Sequence, residues 1–180
     1  MPTNPRIPRE MILQTAMDLL LNEGYRALNI KSISKALGCS TQPVSWHFGS
    51  MDGLRQQLAV YAQTYAEEFL RIQEPKDLFE MLELGRKHLQ LSAEQPKLYS
   101  YLFRDRCGGY GSNRIQSLTE NAKALLCVGE QPQVLDLAVY LQGVAFCVAE
   151  GSLRLTEEEL ENCLQRGCEA FLRVHDDRCL

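Results

Sequence analysis

What this 180-residue chain lacks narrows its function before any motif is read. No apolar run approaches the ~20 residues that cross a bilayer. The opening Met-Pro-Thr-Asn-Pro-Arg has no apolar stretch of the signal-peptide kind, so a cytoplasmic location with no membrane partner is expected. The final Asp-Arg-Cys-Leu sets its cysteine one position from the end, which does not suit prenylation. The seven cysteines, at 39, 107, 127, 147, 163, 168 and 179, include no CxxC pair. Such a scattered, odd set reads as reduced thiols, mostly buried as small hydrophobes. Cys163, Cys168, His175 and Cys179 match no zinc spacing, so no metal is expected. A thiol sensor among Cys107, Cys127 and Cys147 stays open, because it needs a lowered pKa that sequence does not reveal. There is no HExxH, no GxSxG and no dinucleotide fingerprint. The glycine-rich Gly108–Asn113 lacks the Lys-Ser/Thr of a phosphate loop. No catalytic residue, cofactor or enzyme activity is therefore expected. Period-two alternation is missing as well, which leaves an all-α fold.

What is present is helical periodicity and an uneven charge. The net charge is −4, yet residues 1–50 carry +2 and the remainder −6. A mildly basic front and an acidic rear suit a front that meets a polyanion. The first helix is expected over Arg9–Asn22, with Ile12, Leu13, Ala16, Leu19 and Leu20 inward and Gly24 ending it. A short second helix follows Asn29, a good N-cap, with Ile30, Ile33 and Leu37 inward. Gly38 supplies a left-handed stop, and Ser40 caps a third short helix with Pro43 in its first turn. Val44 and Phe48 are its inward anchors. Ser50 opens a long connector whose Leu54, Leu58, Tyr61, Tyr65, Phe69 and Ile72 recur at helical spacing. Five rear helices complete a total of about nine, near Lys76–Ser92, Lys97–Arg106, Arg114–Cys127, Pro132–Glu150 and from Thr156 onward. Thr156-Glu-Glu-Glu159 is a capping box.

The second helix, Gly38 and the third helix make a helix-turn-helix. The second helix of such a unit enters the DNA major groove N-terminus first. Thr41 and Gln42 stand at that N-terminus, and glutamine can pair bidentately with adenine. Because Val44 and Phe48 point inward, Ser45 and Trp46 point elsewhere. An exposed Trp on a short polar helix calls for a partner. The expected DNA contacts are Asn29, Lys31, Ser32, Thr41, Gln42, Ser45, Trp46, His47 and Met51. Packing remains an alternative role for both Trp46 and His47.

Residues from about Pro8 to Leu58 resemble the N-terminal domain of the TetR family of transcriptional regulators. Ile12, Leu13, Ala16, Leu19, Gly24-Tyr25, Ile30, Ile33, Ala36-Leu37-Gly38, Ser40, Val44, His47-Phe48 and Leu54 carry the resemblance. It implies a helix-turn-helix domain over residues 1–50 and a helical effector-binding and dimerisation domain over 51–180. It also implies a homodimer that binds a palindromic double-stranded DNA operator, most often as a repressor. A small-molecule effector in a rear cavity would move the connector and release the DNA. Two departures stand out: Ser45 where the family usually has Tyr, and Met51 where it usually has Lys. Both usual residues touch phosphate. The alternative is therefore a helical ligand-binding protein of this fold that has lost specific DNA binding.

For the rear cavity the expected lining is His88, Tyr99, Phe103 and Tyr140, though aromatics of this kind are more often core. The expected dimer interface is Leu135, Val139, Phe146, Leu160, Leu164, Gly167 and Phe171. The last helix carries much of it as an i, i+3, i+4, i+7 seam. The same face could instead pack within one chain.

Overall fold

The computed structural model describes residues 7–71, 78–103 and 132–172. Among them there are eight α-helices and no strand. They are α1 (Arg9–Glu23), α2 (Ile30–Ala36), α3 (Gln42–Phe48), α4 (Met51–Leu70), α5 (Leu78–Glu94), α6 (Pro96–Phe103), α7 (Pro132–Ala149) and α8 (Glu157–Leu172). A 3-10 turn, Tyr25–Ala27, links α1 to α2. The helix expected near Arg114–Cys127, the Gly108–Asn113 loop, Ile72, Cys107, His175 and Cys179 lie outside the described residues. So does the side chain of Leu135. Among the described residues no helix is long and apolar enough to cross a membrane.

The local signals act as their chemistry requires. Leu37 caps α2, Gly38 turns left-handed at φ 66°, and two hydrogen bonds close the end. Gly38 N–H donates to Lys35 O (3.2 Å) and Cys39 N–H to Ser34 O (3.0 Å). This is a Schellman stop, and the left-handed residue at its centre favours glycine. At α8, Thr156 N–H donates to Glu159 Oε2 (2.7 Å) and Glu159 N–H to Thr156 Oγ1 (3.2 Å), the reciprocal pair of a capping box. One cap differs from expectation. Thr41, not Ser40, precedes α3, in helical backbone and with no side-chain cap. Pro43 in the first turn tolerates this, since it has no N–H to satisfy.

One core runs through the described residues. Ile12, Ala16, Met17 and Leu20 of α1 meet Ile33, Val44, Leu54 and Leu58 in the front. Helix α4 continues that core into the rear with Ala62, Ala66 and Leu70. Its expected stripe is thus offset by one position. Tyr61, Tyr65 and Phe69 are only half-buried and flank the buried line. Small alanines let a neighbouring helix come close, while the tyrosines reach sideways. Tyr61 Oη donates to Gln14 Oε1 of α1 (2.6 Å), and Gln95 Nε2 donates to Tyr65 Oη (3.3 Å). Helix α5 is the centre of the rear and packs against α4, α6, α7 and α8.

The seam on α8, part of the expected dimer interface, faces inward within the single chain. Leu160, Cys163, Leu164 and Gly167 are buried within the chain. A Cβ on Gly167 would lie 2.9 Å from Leu137 Cδ1 and from the Tyr140 ring, so α7 and α8 touch there. Leu164 Cδ1 and Leu141 Cδ1 both lie 3.3 Å from the Cβ position of Gly85 on α5. Phe171 packs on Tyr140, their ring centroids 5.9 Å apart. Periodicity marks a face as buried but not which helix buries it. The outer face of α8 is polar: Glu161, Asn162, Gln165, Arg166 and Glu169 are exposed. Among the described residues, the large exposed apolar side chains of this pair of helices are on α7, with Val139 59% and Phe146 36% exposed.

Candidate nucleic-acid interface and rear polar cluster

The nine expected DNA contacts separate into two groups. Lys31, Thr41, Gln42, Ser45 and Trp46 are exposed, and four of them sit on or just before α3. Val44, 1% exposed, anchors the opposite face of that helix. Trp46 is 65% exposed, its ring 4.8 Å from that of His47. The aromatic therefore stands on the outer surface.

The other four are tied into the fold. Asn29 Oδ1 accepts from Ser32 N–H (2.9 Å), and Asn29 Nδ2 donates to Ala27 O (3.2 Å). Ser32 Oγ accepts from Asn29 N–H (3.2 Å) and lies 2.6 Å from Ala27 O. Both side chains take part in building the α2 cap. His47 Nε2 lies 2.9 Å from Ile7 O, and a carbonyl only accepts, so Nε2 carries the proton. That bond fastens α3 to the segment entering α1. Met51 is half-buried and packs on the core, so its side chain is no substitute for a phosphate-binding lysine.

One residue that sequence reasoning missed sets the corner between α3 and α4. Gly49 takes φ 70°, Ser50 N–H donates to Phe48 O (2.7 Å), and Ser50 Oγ accepts from Gly53 N–H (3.1 Å). The turn presses the last carbonyl of α3 against the first turn of α4. A Cβ on Gly53 would lie 2.2 Å from Phe48 O. The sequence signal was a glycine inside a helix, which costs stability unless close packing needs it.

In the rear, three of the four expected cavity residues come together. Tyr99 and Phe103 of α6 are stacked, centroids 4.5 Å apart, and His88 of α5 meets both edge-on at 5.2 and 5.0 Å. The polar atoms form a triangle with Gln142 of α7. Gln142 Nε2 donates to Tyr99 Oη (2.6 Å), and His88 Nε2 lies 3.0 Å from Tyr99 Oη and 3.1 Å from Gln142 Oε1. Tyr99 is fully buried, and burial pushes its hydroxyl well above the usual tyrosine range. The phenol stays neutral and can donate or accept. Tyr140 does not join this cluster. It belongs with Phe171 and Gly167 at the α7–α8 contact, where burial and the neighbouring Cys163 thiol raise its hydroxyl pKa. Gln142 was the missed member. Its signal was a single amide in the otherwise apolar run from Leu137 to Ala149.

Residues 12–58 match the family model described as bacterial regulatory proteins, tetR family. No curated protein matches the sequence. Among solved structures, a protein from Rhodococcus sp. titled as a candidate TetR-family transcriptional regulator aligns with a TM-score of 0.66. The alignment covers 91% of this chain and 98% of that one, at 14% identity, so the likeness is one of fold. The sequence match falls on the segment that forms α1 to α3 and the start of α4, while the fold likeness extends across the rear. The front of the chain is thus similar to the tetR family of bacterial regulatory proteins, and the chain shares the fold of a protein titled as a TetR-family regulator.

Proposed function

We propose that the chain is a homodimeric, ligand-responsive repressor that acts in the cytoplasm on a palindromic double-stranded DNA operator and is released by a small-molecule effector. The observation that carries this reading is the exposed row Thr41, Gln42, Ser45 and Trp46 on a helix whose other face is anchored in the core. A rigid helix with an exposed polar and aromatic face suits a major groove, with Gln42 as the base reader and Lys31 on phosphate. Two heads ~34–36 Å apart would read the two half-sites. For the dimer, the exposed Val139, Gly143 and Phe146 of α7 are the best supported apolar surface, flanked by the polar face of α8. For the effector, the His88–Tyr99–Gln142 triangle beside Phe103 offers polar groups on an aromatic shelf. DNA and effector would weaken each other by the same factor.

Ser45 and the half-buried Met51 favour a second reading, a ligand-binding protein of this fold without specific DNA binding. Fluorescence anisotropy separates the two. The duplexes are DNA from the region flanking the gene and a scrambled control, over a salt series. The repressor reading expects salt-sensitive binding that prefers the flanking duplex. Gln42→Ala should cost about 1–3 kcal/mol of that preference. Trp46→Ala should weaken binding. Equal, weak binding to every duplex in a wider operator search would favour the second reading.

A further inference from the structure

We infer that the reading head carries a ligand site of its own, a cleft between α3 and the start of α1 that takes a small, uncharged aromatic molecule in competition with DNA. The inference rests on the DNA-binding reading only for its competition readout.

The cleft has a volume of about 590 Å³. Small-molecule sites usually hold ~300–1,000 Å³. The entry to α1 supplies Pro8 and Met11, α3 supplies Pro43 and Trp46, and the turn between α2 and α3 supplies Leu37 and Cys39. The bond from His47 Nε2 to Ile7 O, 2.9 Å, ties the α1 side to the α3 side, and both of its residues border the cleft. Met11 is 51% exposed and Trp46 65%. Among the described residues of the three-helix head, these two are the large exposed apolar side chains, and both line this one cleft. Apolar surface gathered in a concave place marks a binding site.

The lining also states the class of molecule. Among the described residues that form it there is no Lys, Arg, Asp or Glu. A phosphate finds no cation there, and any ion that enters sheds water without gaining a charged partner. The Trp46 indole offers a face to a flat ring. Ser40 and Gln42 add a hydroxyl and an amide, each able to donate and to accept a hydrogen bond. A planar, uncharged ring system with one or two polar atoms meets all of these groups. Gln42 and Trp46 belong both to this cleft and to the exposed row of α3. A molecule seated here therefore covers the reading surface itself and competes with DNA without any movement of the rear helices.

Trp46 is the only tryptophan of the chain, so its indole N–H gives a single NMR signal that reports on the cleft. The probe is coumarin, with coumarin-3-carboxylate as its charged counterpart, added to the full chain. Coumarin should shift the indole signal and show nuclear Overhauser contacts to the Trp46 ring. The carboxylate should bind about tenfold more weakly or worse. Met11→Asp sets a charge on the rim, near the start of α1 where a helix favours an acid. It should keep the helical circular dichroism and raise the coumarin Kd by about tenfold. Ser40→Asp places a second rim charge should Met11→Asp fold poorly. Coumarin at ten times its own Kd should raise the apparent Kd for the flanking duplex by about tenfold. An indole signal that stays fixed up to the solubility limit of coumarin would overturn the site. So would Overhauser contacts confined to rear residues, or an unchanged Kd in both rim variants. A protein that binds no duplex would defeat the DNA reading, while the indole shift and the Overhauser contacts would still decide the site.

Discussion

Leu164→Glu should unfold the rear of the protein rather than split a dimer. Leu164 is 4% exposed and touches the α5–α7 contact at Gly85 and Leu141. A carboxylate placed there loses its hydration and leaves its packing partners without the leucine. The cost is on the order of several kcal/mol. For a chain of this size that lowers the melting temperature by roughly 10 °C or more. Val139→Glu is the contrasting variant. Val139 is 59% exposed, so a glutamate there keeps its water in the free protomer. It should retain the wild-type helical circular dichroism and sediment as a monomer. A folded, monomeric Leu164→Glu protein would return the α8 seam to the interface. A Val139→Glu protein that still sediments as a dimer would remove the outer face of α7 from it.

Gly53→Ala should disable the head with a single methyl group. The added carbon would lie 2.2 Å from Phe48 O, well inside van der Waals contact. The obstacle is backbone, so no side chain can rotate away. Either α3 tilts from α4 or the Ser50 cap opens. Overpacking of this kind costs about 1–3 kcal/mol. The loss in DNA binding should be larger than the loss in stability, because the orientation of α3 is what a groove reads. We expect Kd for the flanking duplex to rise by more than about tenfold, which corresponds to ~1.4 kcal/mol. Binding equal to wild type would show that the corner does not set the reading angle. Ser50→Ala is a useful companion, since it opens the cap without adding bulk and should cost about 1 kcal/mol of stability.

Most of the front was legible in the sequence. Asn29, Gly38, Val44 and Phe48 took the capping, stopping and anchoring roles their spacing implied, and Trp46 faces out as inferred. The site itself was legible only in part. Asn29 and Ser32, expected as DNA contacts, are also the residues that build the α2 cap, which their types alone do not reveal. Tyr140 was placed with His88 because both lie on rear helices, yet it packs with Phe171 on another side of α7. Gly53 and Gln142 each read in sequence as an interruption of a helix, and only the packing around them shows a role.

The division follows range of interaction. Sequence alone determined the described helices, most of their caps and the helix-turn-helix, because those depend on hydrogen bonds within about five residues and on a burial period of 3.6. Tertiary structure alone decided what each buried face meets. It turned the α8 seam inward, closed the His88–Tyr99–Gln142 triangle, tied His47 to Ile7 across 40 residues and set Lys97 on α1 across 75. Such contacts depend on the crossing angles of every helix between the partners, and periodicity along a chain carries no record of those angles.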